Sequence, residues 1–335
     1  MSWQSIFAAM LPEHILLAGL LALIALEIVV DRPHGSLGIA LVAVCAAAVA
    51  ALALNVNAVH ADPFPGQYSV VPGTSLAKAL VLAFAVPVLL FAREERTNLR
   101  FYPLLLSSLY GFCLIVSAES FLTLFLGLEL MALPVYVLVL LGYRRADSAE
   151  AALKYLVLGG TATALFLMGV ALLYGGAGSL SIAAFATALH SSDVMARAAI
   201  VLVIAAFFVK AAIVPFHAWA PDAYEGASLP VTAFMATVIK AGVLLAVVRL
   251  VGTEPLSPAM AETLAILPLV SIVWGNLAAM RQTSFRRMIA YSSIAHAGYL
   301  FYAFLGAGAT RYQAVVFYLV AYGLANLLAF AALPR

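Results

Sequence analysis

The chain reads as an all-α polytopic membrane protein of about eleven transmembrane helices, and three observations predict it. Its 335 residues are 65% hydrophobic and 10% charged, against about 45–50% and 25% in ordinary globular domains. Apolar runs near the length of about 20 residues that a helix needs to cross a bilayer recur from end to end. All thirteen arginines lie in loops or at the ends of those runs, whereas all four lysines, Lys78, Lys154, Lys210 and Lys240, lie inside them.

The spans run near 13–30, 37–59, 74–92, 101–117, 120–142, 149–175, 197–217, 230–251, 259–280, 285–306 and 311–333. Pro63, Pro65 and Pro72 fill the loop before the third span. Gly175, Gly176 and Gly178 end the sixth, and Pro255 and Pro258 separate the eighth from the ninth. With the N-terminus outside, Arg32, Arg93, Arg96, Arg100, Arg144, Arg145, Arg281, Arg286, Arg287 and Arg335 face inward, and only Arg197, Arg249 and Arg311 face outward. That bias follows the positive-inside rule and predicts an outer N-terminus and an inner last residue.

Other classes are excluded on composition. A net charge of +2 with no basic cluster offers nothing to nucleic acid, and no Walker or Rossmann glycine loop is present. Cys45 and Cys113 are isolated within spans, which suits neither a metal site nor an iron–sulfur cluster. Arg32 is the first basic residue, so no cleaved leader is expected.

A charge near the bilayer centre costs about 2.5–3.5 kcal/mol on insertion scales, and such residues face protein or water-filled cavities. Lysine, unlike arginine, can give up its proton when buried. The densest region is FFVKAAIVPFHAWAPDAYEGASLPVTAFMATVIKAGVLL. Pro215 has no N–H, so the carbonyl of Ala211 loses its helical partner, and Pro221 repeats the loss six residues later. A broken helix is tolerated in lipid only where it is buried in protein or lines a wet cavity, and transporters use such breaks repeatedly. Lys210 lies just before this break, with His217, Trp219 and Asp222 within it.

Depth sorts the remaining polar groups. Glu129 and Lys240 lie about 14–15 Å into their spans at 1.5 Å per residue, close to the midplane. Lys154 is shallower and follows Glu150 by one helical turn, the favourable order for a local ion pair; it serves either that pair or a proton path. Lys78, shallower still on the outer side, is within snorkelling reach of the interface and reads as structural. His296, among the small residues of SSIAHAGY, is either a satisfied buried histidine or a relay. Glu27 is expected to pair with Arg32. If Glu129 reaches Lys210, the lysine holds its proton; if the two are pulled apart, the proton becomes mobile, with Lys240 and His296 passing it along water chains.

The strings FLGLELMALPVYVL, AEAALKYLVLGG, FFVKAAIVPFHAWAPDAYEGASLPVTAFMATVIKAG and RRMIAYSSIAHAGYL resemble the antiporter-like membrane subunits of respiratory complex I, above all the subunit N family of bacterial NADH–quinone oxidoreductases and its mitochondrial counterpart, subunit 2. The resemblance covers nearly the whole chain. It implies an antiporter-like inverted five-helix repeat with a broken seventh helix. Residues 1–100 would hold three N-terminal helices, 101–251 the first repeat and 252–335 an incomplete second repeat. It also implies proton-transfer roles for Glu129, Lys154, Lys210, Lys240 and His296. The family's redox centres lie on other subunits, so no cofactor and no metal is expected here. The expected partners are the other complex I subunits, especially neighbouring antiporter-like ones, and membrane lipid; nucleic acid is not. The chain stops at Arg335 after about three helices of the second repeat, which reads as a fragment or an incomplete gene model. The alternatives are a subunit of a multisubunit sodium/proton antiporter or membrane-bound hydrogenase, an independent solute carrier, and a purely structural membrane subunit.

Overall fold

A computed structural model of the chain describes residues 3–29, 35–93, 100–142, 146–191, 193–252, 256, 258–306 and 308–332. Among these, ten helical spans are long and apolar enough to cross a membrane. They comprise α2 (Leu11–Val29), α3 (Ser36–Val56), α4 (Pro72–Phe91), α6 (Phe121–Leu140), α7 (Ala146–Ala177), α9 (Val194–Ala211), α13 (Pro258–Ala279), α14 (Phe285–Tyr302) with a following 3₁₀ turn, α15 (Ala309–Ala331), and a composite span. The composite joins α11 (Leu229–Phe234), a π-helical turn (Met235–Ile239) and α12 (Lys240–Val251). The remaining expected span, the fourth, is α5 (Phe101–Ser117), an apolar helix of 17 residues.

All eleven expected spans are helical, and one boundary needs correction. The seventh was expected to reach about residue 217, but α9 ends at Ala211. The backbone turns left-handed at Ala212, with φ 60°, before Pro215 is reached. The chain resumes as the short α10 (Trp219–Gly226). Three small elements carried no sequence signal. These are α1 (Trp3–Ala9), α8 (Ile182–Ala188), and an antiparallel hairpin of β1 (Ala61–Phe64) and β2 (Tyr68–Val70) inside the proline-rich loop. Gly66, at φ 73°, reverses the hairpin, and Pro63 is tolerated because a two-stranded ribbon has free edges.

The described helices cluster into two compact units. One comprises Met1–Leu138, Leu229–Gly242 and Gly323–Arg335; the other comprises Val139–Ser228 and Val243–Tyr322. In the first, α5 and α6 approach through glycine. A Cβ at Gly111 would lie 2.4 Å from the amide nitrogen of Met131, and one at Gly127 would lie 2.9 Å from that of Ile115. The Ser108 hydroxyl donates to the Met131 carbonyl across the same seam at 2.7 Å. In the second unit α13 and α14 meet similarly, with Gly275 and Gly298 against the backbone of Ala295 and Pro268. Lipid offers no hydrophobic force to join helices, so close backbone packing through small residues supplies the attraction. Aromatic edges add to it: Phe166 meets Phe207 with ring centroids 6.0 Å apart, and Phe208 meets Phe301 at 5.2 Å. Exposed apolar stripes, such as Val42, Val49 and Val56 along α3, are what a lipid-facing helix presents.

The α5–α6 seam yields a test. Gly111→Ala places its methyl against backbone that cannot rotate away, an overpacking cost of about 1–3 kcal/mol. Gly160→Ala on α7 meets nothing within 4 Å and gains helix propensity of about 1 kcal/mol. Thermal unfolding in detergent should show a lowered midpoint for the first variant and an equal or higher one for the second. Equal midpoints for both would contradict this packing.

Candidate functional site

Lys210 occupies the last turn of α9, and the way that helix ends explains its value. The Ile213 amide bonds the Phe208 carbonyl at 2.9 Å and the Ala212 amide bonds the Val209 carbonyl at 3.2 Å. This is the paired closure that ends a helix through a left-handed residue, here alanine rather than the usual glycine. The Trp219 indole N–H also donates to the Val209 carbonyl at 2.8 Å, tying the start of α10 to the end of α9. Beyond the break, the Val214 amide finds the Ser271 hydroxyl of α13 at 2.7 Å, so freed backbone is satisfied by a side chain. The Val214–Pro215 peptide is cis. A helix C-terminus carries partial negative charge, so an ammonium in the final turn is stabilised there. Lys210, half-buried, is the basic residue of that turn.

Behind α10 lies a polar network within the same unit. Lys154 reaches Glu150 at 2.7 Å, the expected one-turn pair, and also Asp222 of α10 at 2.6 Å. Arg287 of α14 closes the network on Asp222 at 2.9 Å and Glu225 at 3.0 Å. Glu150, Lys154, Asp222 and Glu225 border an open cavity of 360 Å³ that Asp147 and Arg286 also line. The Lys154 side chain is 44% exposed, so it sits at the mouth of that cavity and not in a dry interior. Tyr155 stacks on Trp219 at 4.3 Å, and the Ser148 hydroxyl bonds the Gly226 carbonyl at 2.8 Å; both hold α10 against α7. His296, half-buried on α14, contacts the Tyr318 hydroxyl through Nδ1 at 2.7 Å, with the Tyr299 and Tyr322 rings around it. It is therefore a histidine with a polar partner inside an aromatic cage.

Glu129 and Lys240 belong to the other unit. Glu129 is half-buried on α6, five residues before Pro134, whose missing amide interrupts the α6 ladder. Lys240, 7% exposed, follows the π-helical turn directly. π turns inside α-helices occur frequently at functional sites. The two helices pack together: a Cβ at Gly242 would lie 2.4 Å from the Met131 sulfur.

Lys78 departs from expectation. It does not snorkel. It is 1% exposed and paired at 2.8 Å with Glu13 of α2, itself fully buried. The Tyr68 hydroxyl of β2 donates to the same Glu13 oxygen at 2.6 Å and accepts from the Lys78 ammonium at 2.8 Å. Sequence reading missed Glu13 as a partner, the roles of Asp222 and Arg287 around Lys154, and the π turn. Asp222 stood in the proline-broken string, so its presence was a signal; Glu13 carried none. The expected partner of Glu27, Arg32, lies outside the described residues.

The family model described as NADH:quinone oxidoreductase/Mrp antiporter, TM, matches residues 118–334. NADH-quinone oxidoreductase subunit N of Pelobacter propionicus is 36% identical over 323 residues, covering 96% of this chain and 70% of that protein. Among solved structures, a chain of respiratory complex I from Thermus thermophilus with bound Aureothin is similar with a TM-score of 0.82 at 36% identity, covering 96% of this chain and 69% of that one. A chain of the Mrp complex from Dietzia sp. has a TM-score of 0.86 at 21% identity, covering 97% of this chain and 64% of that one, a likeness of fold alone. With its broken ninth helix, buried lysines and these likenesses, the chain belongs to the NADH:quinone oxidoreductase/Mrp antiporter transmembrane family, among the NADH-quinone oxidoreductase N subunits.

Proposed function

We propose that the chain is a proton-translocating membrane subunit of an NADH–quinone oxidoreductase, without redox chemistry of its own, working beside the other membrane and peripheral subunits of that complex. The observation that carries this reading is Lys210 in the final turn of α9, directly before the break, in a chain 36% identical to subunit N. A sodium/proton antiporter subunit or a membrane-bound hydrogenase subunit would use the same fold; the subunit N relatives favour the first reading.

In this reading Glu129, on α6, and Lys210, on α9, are both proton-transfer groups. Lys240 and His296 pass the proton on, with Tyr318 as the hydrogen-bond partner of His296. Lys154 and Asp222, at the mouth of the cavity, deliver protons from the inner side. The orientation is N-terminus outside and last residue inside, which sets the hairpin at the outer surface. The first repeat would span 101–251, with the second begun after it.

Three outcomes test the reading. Lys210→Ala in the assembled complex should slow proton-coupled NADH oxidation ~10²-fold, the loss expected for a positioned proton-transfer group, with assembly retained. Glu129→Ala should act in the same direction; unchanged proton stoichiometry in Lys210→Ala defeats the assignment. Asp222→Asn leaves Lys154 with Glu150 and Arg287 with Glu225, so stability should change by no more than about 1 kcal/mol, as exposed pairs contribute little. Proton delivery should nevertheless fall, measured as acidification of inverted vesicles. Finally, Phe64→Cys on the exposed hairpin should react with a membrane-impermeant thiol reagent in intact cells; protection there with reactivity in inverted vesicles reverses the orientation.

A further inference from the structure

We propose that Glu13, Tyr68 and Lys78 form a second proton-exchange site, one that takes up a proton on the Glu13 carboxylate and sheds one from the Lys78 ammonium. The proposal rests on the proton-translocating reading and the orientation given above. It assigns activity to the N-terminal helices, which that reading leaves as scaffold.

Three elements converge on the site: α2 brings Glu13, β2 brings Tyr68 and α4 brings Lys78. All three side chains are buried, at 0%, 3% and 1% exposure. One carboxylate oxygen of Glu13 is saturated, taking Tyr68 at 2.6 Å and Lys78 at 2.8 Å. The other, Oε2, is buried with no hydrogen-bond partner, and so is the Ser75 hydroxyl one turn before Lys78 on α4. A buried carboxylate oxygen left bare costs free energy that a purely structural pair would avoid. An ion pair of this kind is in any case weak evidence of stabilisation, since apolar residues of similar volume serve as well or better. A bare acceptor beside a trapped ammonium is what a proton-uptake site requires.

The exchange balances. At rest the carboxylate and the ammonium cancel. A proton arriving on Oε2 makes a neutral acid and leaves the ammonium without its counter-charge in apolar surroundings, where it is disfavoured. Lys78 then passes a proton to a water molecule, which carries it off as hydronium, and becomes an amine. Transfer of the acid proton across the 2.8 Å contact to that amine restores the pair. One proton enters and one leaves. Tyr110 and Cys113 of α5 are further titratable groups within reach of the Glu13 charge. Burial, and after it the Glu13 carboxylate, hold the Tyr68 phenol well above its ordinary range, so it stays a donor throughout.

The position suits the role. The hairpin roofs the site: the Glu119 amide bonds the Gln67 carbonyl at 3.0 Å and Ser69 donates to the Glu119 carboxylate, so β2 is stitched to the start of α6. The helix α4 that carries Lys78 also packs on α11 and on the π turn that leads into Lys240.

The test uses the assembled complex in inverted vesicles. The double variant Glu13→Leu with Lys78→Met keeps an apolar, neutral packing, so it separates a prop from a proton site. Proton translocation at least about tenfold slower, with assembly intact, supports the site; a wild-type rate overturns it. If the double variant does not assemble, Tyr68→Phe decides, since it removes one oxygen: slowed translocation supports the site and a wild-type rate overturns it. Lys210→Ala is run alongside. If that variant is slowed and the triad variants are not, only this inference fails; if Lys210→Ala is itself unaffected, the proton-translocating reading fails first.

Discussion

Hydrocarbon supplies no hydrogen bonds, so each interruption of a transmembrane helix must be satisfied from within the protein. The break after α9 rests on that constraint. The Schellman-type closure at Ala212 uses two of the last carbonyls of α9, the Trp219 indole adds a second donor to one of them, and Ser271 takes the first amide beyond. What remains is a helix end with its partial negative charge intact and a lysine in its final turn. A cation in that turn meets the partial negative charge of a helix end.

The same logic explains the helix α10. Once the chain leaves the α9 axis, α10 must be fixed from outside, and α7 does it through Tyr155 on Trp219, Ser148 on the Gly226 carbonyl, and Lys154 on Asp222. The last of these also draws charge to the rim of a cavity. Arg287 shares Asp222, so this carboxylate answers to two cations from two helices. Arg311, one of the three arginines that run against the positive-inside bias, has a different task. It is 1% exposed and donates to the Gly252 and Gly306 carbonyls, closing the end of α12 and the turn before α15. Its place is set by helix capping rather than by topology.

Much of this was legible in the sequence, and the exceptions share a cause. Apolar length gave the spans, because nothing but a helix satisfies its own backbone in lipid. Pro215 marked the break, and the rarity of lysine marked Lys210 and Lys240. What failed to show was anything fixed by partners distant in the chain. Lys78 looked able to snorkel because its depth was counted along α4 alone; the hairpin that covers it and the Glu13 that pairs with it come from other elements. Lys154 announced Glu150 four residues away but not Asp222, which lies 68 residues on. The π turn at Met235–Ile239 contains no glycine or proline to give it away.

The four lysines share apolar surroundings and differ in what meets them. Lys210 ends a helix at a left-handed turn, Lys240 follows a π turn, Lys78 lies under a hairpin, and Lys154 pairs with the detached α10. At Lys210 and Lys240 regular helix gives way beside the lysine, whereas Lys78 and Lys154 lie within unbroken helices. A lysine placed merely to anchor a helix would gain most from an undisturbed ladder and an interfacial position, where its stem packs and its head is wet. Lys210 and Lys240 adjoin irregular backbone instead, and within a bilayer such backbone persists only where it lines protein or water. Lys210 and Lys240, beside broken helix, and Lys78 and Lys154, paired with carboxylates, are thus accommodated in apolar surroundings by different means.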